Sequence, residues 1–304
     1  MRHLSAAVLG LLLCAACVGP EDNPSTVKDL RVLGIRMDPP EVLADTCSTD
    51  LSAIITFSQP VRLTALIADP RGQGRELDYT LWACASQSDI TCREDQVELT
   101  RGVTGPGALQ VQLQPGPAVS RLPDGTFLAQ RVVEKDTYRG LGGVRMPLVM
   151  WLRGGEEQLY SQKLMVYGCR YFPEMQANVQ PELPGLLLEG EPWEEGVPRE
   201  LSGPGPFRIE PMDFTDRQEA YVVPSFELKP VNLQEQWQLA WFTTLGRVTP
   251  NETGGADFGG TVERHNVEWQ PGRDAQAQEV RFWVTVRDGR GGLSWVQRSV
   301  KYTP

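Results

Sequence analysis

The sequence predicts an all-β protein of two Ig-like antiparallel β-sandwiches, and three observations predict it. Thirty glycines and 24 prolines among 304 residues exceed ordinary usage, which suits many short strands joined by tight turns. Apolar and polar residues alternate at period two along Val61–Ala68, Leu109–Leu113, Trp237–Trp241 and Val280–Arg287, as in strands with one face on a core. Turn formers punctuate these runs at Asp69-Pro70-Arg71-Gly72, Gly105-Pro106-Gly107, Pro123-Asp124-Gly125 and Asp288-Gly289-Arg290-Gly291-Gly292.

The chain opens on a positively charged Met1-Arg2-His3. An apolar run from Leu4 to Ala16 follows and then Cys17, the pattern of a signal peptide over residues 1–16. The run is shorter than the about 20 residues a helix needs to cross the hydrocarbon core, which counts against a transmembrane anchor. Leu13-Cys14-Ala15-Ala16-Cys17 resembles a bacterial lipobox, with Cys14 where that pattern usually has Leu. A cut before Cys14 would place Leu13 at the small-residue position, a worse fit. The resemblance implies that Cys17 becomes the first mature residue and carries several acyl chains, enough for stable anchoring. The competing reading is secretion after Ala16 with a free Cys17 thiol. Residues 17–29 then form the lipidated cysteine and a flexible tether, because Val18–Thr26 is polar, holds two prolines and shows no periodicity.

With Cys14 removed and Cys17 assigned to lipid, Cys47, Cys84, Cys92 and Cys169 remain. An even number in an exported chain argues for two disulfides, with three possible pairings. The short polar loop between Cys84 and Cys92 favours that pair, which leaves Cys47 with Cys169. Zinc is the competing use of these cysteines, but no Cys-x-x-Cys spacing exists.

Residues 30–171 read as the first sandwich, with the more continuously apolar Met146–Leu152 and Leu164–Tyr167 as central strands. Residues 172–205 read as a proline- and glutamate-rich connector, inside which Leu186-Leu187-Leu188 and Trp193 are apolar enough to pack as a short hairpin. Residues 206–304 read as a second, Ig-like or PKD-like sandwich that closes on a terminal hairpin and lacks the intersheet disulfide of antibody domains.

Together the lipobox, Arg31–Asp45 (RVLGIRMDPPEVLAD), Glu182–Gly196 (ELPGLLLEGEPWEEG) and Val280–Trp295 (VRFWVTVRDGRGGLSW) resemble envelope lipoproteins of myxobacteria and related Gram-negative bacteria that carry tandem Ig-like or PKD-like sandwiches. The similarity spans most of the mature chain. It implies architecture and brings no catalytic residue with it.

Function classes narrow further on charge and residue count. A net charge of −10 disfavours a nucleic-acid surface. His3 and His265 are the two histidines, too few for multi-histidine metal sites, and no Gly-x-Ser-x-Gly elbow accompanies them. His265 alternates with Val267 and Trp269 and reads as a packed or partly exposed strand residue. Asp257-Phe258-Gly259 spells the kinase magnesium triplet without a catalytic loop, and Gly140-Leu141-Gly142-Gly143 has no Walker lysine, so no nucleotide is expected.

Neither metal nor cofactor is expected. The alternative is calcium held by Glu189, Glu191, Glu194, Glu195, Asp213, Asp216 and Asp288, which lack the spacing of a known calcium loop. Asn251-Glu252-Thr253 is a glycosylation sequon in form only. Most of the eight tryptophans fall in strand cores. Trp283 shares the polar face of its strand with Arg281, Thr285 and Arg287, so it meets the connector or faces a ligand.

The expectation is a non-catalytic lipoprotein, anchored by its lipid, that binds envelope proteins or surface polysaccharide. The alternatives are a hydrolase using paired carboxylates on envelope glycans and a purely structural spacer. Val18 is not the aspartate that retains some lipoproteins at the inner membrane, which favours the outer membrane.

Overall fold

The computed structural model describes residues 23–47, 55–254 and 265–304. The signal peptide, Cys17 and the Asp257-Phe258-Gly259 triplet lie outside them. Strands dominate. One sheet contains β1 (Arg31–Asp38), β3 (Val61–Ala68) and β6 (Gly107–Leu113), in the order β1-β3-β6. A second has the order β2-β8-β7-β4-β5, built from β2 (Glu41–Ala44), β4 (Leu77–Cys84), β5 (Gln96–Thr104), β7 (Val144–Gly154) and β8 (Glu157–Cys169).

The chain changes sheets at Pro39-Pro40. Strand β1 pairs antiparallel with β3, whereas β2 pairs parallel with β8, because two consecutive prolines lack the N–H groups a ladder needs. Ile35, Met37, Leu63 and Ile67 from the first sheet meet Leu81, Met146, Leu148 and Tyr167 from the second in one core. A helix that the period-two reading did not anticipate, Leu128–Lys135, lays Leu128 and Val132 on that core.

A second core lies between two five-stranded sheets. One has the order β10-β9-β12-β18-β16, with β9 (Leu186–Leu188), β10 (Glu191–Trp193), β12 (Phe207–Pro211), β16 (Arg247–Thr249) and β18 (Val267–Gln270). The other has the order β11-β20-β19-β15-β17, with β11 (Arg199–Ser202), β15 (Gln238–Thr243), β17 (Glu252–Gly254), β19 (Gln278–Arg287) and β20 (Leu293–Thr303). Trp193, Trp237, Trp241, Trp269 and Phe282 fill the space between them. The Trp269 ring meets Phe207, Phe282 and Tyr302 within 5.5 Å. A separate ribbon, β13 (Ala220–Pro224) with β14 (Pro230–Gln234), leaves this body just before β15.

The structure divides the expected connector differently. Strands β9 and β10 do form a hairpin, but β9 also pairs with β12, and β11 runs parallel to β20, so the stretch from Leu186 onward belongs to the second pair of sheets. Leu186, Leu188 and Trp193 are almost fully buried there, and apolar burial outweighs the local proline content.

The flexible tether also ends earlier than expected. Ser25, Thr26 and Val27 are buried, and Thr26 bridges to Thr243 at the end of β15. The Val27 N–H donates to the Thr243 carbonyl and the Thr243 N–H to the Ser25 carbonyl, both at 2.8 Å. The Ser25 hydroxyl accepts the Val248 N–H at 2.9 Å. A segment with such partners gains from docking what a solvated spacer lacks.

Disulfides join Cys47 to Cys169 and Cys84 to Cys92. The first ties the region just after β2 to the end of β8, and the second closes the loop after β4.

Candidate functional site

The two pairs of sheets meet along a seam, and the functional candidates collect there. Strand β3 buries Leu63 and Ile67 in its own core and Leu66 and Ala68 on its opposite face. The latter, with Val27 and Leu33, pack on Trp283, flanked by Phe242 and Trp295. This corrects the sequence expectation for Trp283, which is only 5% exposed and meets the first sandwich rather than the connector or solvent. Its indole N–H donates to Gln297 Oε1 at 3.2 Å. Polar neighbours in sequence misread the face because a large ring covered by another sheet gains more from burial than from exposure. Gly34 leaves room at the seam for Leu293: a Cβ there would come within 2.9 Å of Leu293 Cδ2, so that side chain would have to shift.

At one end of the seam the turn between β19 and β20 builds a polar junction. Asp288 Oδ1 accepts the backbone N–H groups of Arg290, Gly291 and Gly292 at 2.7–3.0 Å, and Gly289 and Gly291 take positive φ of 80° and 116°. The Asn178 amide donates to Asp288 Oδ2 at 2.7 Å. This fold of the turn aims Arg290 back into the seam. Its guanidinium lies 3.1 Å from Glu219, 3.3 Å from Glu235 and 3.7 Å from Glu41, with its carbon 4.2 Å from the centre of the Tyr221 ring. Glu41 belongs to β2, so one arginine joins both pairs of sheets. Lys163 of β8 donates to the Gly291 carbonyl at 2.6 Å and reinforces the join.

Desolvation governs the charges here. Burial raises the carboxyls of Glu41 and Glu235 above their ordinary range, even though Arg290 opposes the shift at Glu41 and a hydrogen bond from Trp237 opposes it at Glu235. Burial also brings the Lys163 ammonium down to about 8. An acid whose folded pKa lies above its unfolded value weakens the fold as pH rises through the folded value, because the charged form is then the costlier one. Glu41 and Glu235 therefore contribute stability that is present below their unfolded range and lost as pH rises through their raised folded values, whereas buried His265 and Lys163, both lowered, contribute in the opposite sense. Glu235→Gln should remove its share of the loss on raising pH in pH-dependent thermal denaturation, and an unchanged pH dependence would contradict the assignment.

The other sequence candidates stand apart from this junction. His265 is fully buried and precedes β18. Its Nδ1 lies 3.2 Å from Thr253 Oγ1, its ring packs edge-on against Phe214, and burial lowers its pKa. Gly140–Gly143 forms turns in which the Gly140 N–H donates to Asp136 Oδ2 at 2.7 Å. In the sequon, Thr253 is buried and accepts the Trp241 indole N–H at 3.1 Å. Asp213 caps the Thr215 N–H, Glu189 accepts the Arg208 N–H and Asp288 folds its turn, so these acids serve separate loops. Among the described residues no cluster of three or more His, Cys, Asp or Glu is arranged to hold a metal ion. No helix among them is long and apolar enough to cross a membrane.

Sequence reasoning missed Glu41, Glu219, Glu235 and Arg290. The one available signal was Arg290 amid the glycines of Asp288–Gly292, since such a turn can direct a long side chain inward. A cleft of about 590 Å³ opens at the other end of the seam, between Asp69, Gln73, Arg281 and the edge of Trp283.

No protein-family model matches the chain, and no curated protein matches it. Among solved structures, alpha-2-macroglobulin of Escherichia coli activated by porcine elastase aligns over 92% of this chain and 22% of its own, at 10% identity and a TM-score of 0.25. Dimeric latent PorU of Porphyromonas gingivalis aligns over 90% of this chain and 24% of its own, at 9% identity and a TM-score of 0.23. The chain thus spans about a quarter or less of the length of the structures it matches.

Proposed function

We propose that the chain is a lipid-anchored lipoprotein of the bacterial outer membrane whose joined sandwiches act as a non-catalytic binding scaffold for other envelope proteins or surface polysaccharide. The observation that carries this reading is Leu13-Cys14-Ala15-Ala16-Cys17, followed within eight residues by the docked Ser25. A lipid on Cys17 would hold the body close to a bilayer through a spacer of at most about 30 Å. Two disulfides suit an oxidising compartment. The carboxylates of the junction converge on Arg290, an arrangement that favours holding the two bodies together over attack on a glycosidic bond.

Metabolic labelling with palmitate tests the anchor. The wild-type chain is expected to take up label and fractionate with membranes, and Cys17→Ser to lose both. A Cys17→Ser chain that still carries label would sink the assignment.

A further inference from the structure

The β13–β14 ribbon is unlike the rest of the molecule. Every residue of β14 is exposed, and Val231 and Leu233 present 37% and 42% of their surface to solvent. At the tip Phe226 is 77% and Leu228 53% exposed, the Phe226 ring lying 5.6 Å from that of the likewise exposed Tyr138. Two-stranded ribbons are marginal on their own, and this one is rooted by Glu219 and Glu235, whose backbones bond to each other at 2.9 Å and whose carboxylates hold Arg290. Among the described residues its strands pair only with each other.

The ladder fixes which groups face outward. Glu235 bonds back to Glu219 and Ser225 to Lys229, so the alternation between them turns the bonded edges of Leu233 and Val231 toward β13. The N–H and C=O groups of Asn232 and Gln234 are left on the outer edge. An exposed strand edge beside an apolar tip is the form of surface that proteins ordinarily guard, unless it is used.

We propose that this ribbon is where a partner protein docks, adding an extended strand along the outer edge of β14 and covering Phe226 and Leu228. The inference rests on the envelope reading above and selects a protein among the partners left open there. What singles out a protein is the row of outward N–H and C=O groups at Asn232 and Gln234, which an extended peptide can pair along its length and a sugar cannot. The anchoring bilayer is the poorer occupant on two counts. The tether docks at Thr243, whereas the ribbon joins the other end of the six-residue β15, roughly 20 Å away. Glu227 and Lys229 flank Leu228 with side chains 73% and 74% exposed, and the chain's net charge of −10 opposes an anionic surface.

A photo-crosslinking residue at position 232 of the full-length chain, irradiated in intact cells, reads out the occupant. The expected result is a discrete adduct with a different protein. That protein, once purified, should bind the chain about tenfold or more weakly after Phe226→Ser with Leu228→Ser, and likewise after Asn232→Pro, which removes an outward N–H while sparing the internal ladder. Both variants change exposed positions, and unchanged thermal melting verifies that they fold. An adduct with lipid or with a second copy of the chain, no adduct, or binding unaffected by both variants would overturn the proposal. So would ribbon-dependent flotation of the Cys17→Ser chain on phosphatidylglycerol vesicles. Palmitate labelling is read separately, so loss of the anchor and loss of the docking surface are distinguishable results.

Discussion

Replacing Arg290 by alanine is expected to destabilise the protein by about 3–5 kcal/mol, because it strands buried carboxylates without their cation. Glu235 is 2% exposed at its side chain and Arg290 13%, so solvent screens little of the loss there; Glu219, at 32%, recovers part of its hydration. The surviving acids would then take up protons more readily. Chemical denaturation should accordingly show the deficit at its largest near neutral pH and partly recovered on acidification. Because Arg290 also reaches Glu41, the variant should loosen the seam, seen as faster amide exchange in β2 and in the turn after β19. A loss below about 1 kcal/mol would mean that the junction is held by packing around Trp283 instead.

The second large effect concerns the longer disulfide. Cys47 and Cys169 are 122 residues apart, and on the chain-entropy model removing their bond costs up to about 5 kcal/mol. Cys84 and Cys92 are 8 apart, for which the same model gives about 2–3 kcal/mol. Paired serine substitutions at each bridge, compared by urea unfolding, should therefore rank in that order. Equal losses would show that the long loop is already restrained in the unfolded chain, or that native packing rather than loop closure sets the effect.

The strands were the legible part of this molecule. Val61–Ala68 and Val280–Arg287 alternate because one face of each meets its own core, and that local pattern survives in the sequence. What covers the other face does not. Leu66 and Ala68 are buried by a tryptophan more than two hundred positions away, and nothing near either residue announces it. The expected connector went astray for a related reason. Its prolines record turns faithfully, but the parallel pairing of β11 with β20 depends on a strand at the far end of the chain. The Arg290 junction draws single charged residues from β2, from either side of the ribbon and from a turn, so no spacing rule could have gathered them. The helix Leu128–Lys135 escaped because two buried residues in eight make a faint stripe.

The docking of Ser25–Val27 against Thr243 has a mechanical consequence. Although the first pair of sheets follows Ser25–Val27 in chain order, a pull on the amino-terminal side of that segment is borne by β15 of the second pair before it reaches Arg31. The first pair of sheets is thereby shielded from tension applied at that end, and the bonds around Thr243 become the place where such a load would first break the molecule loose.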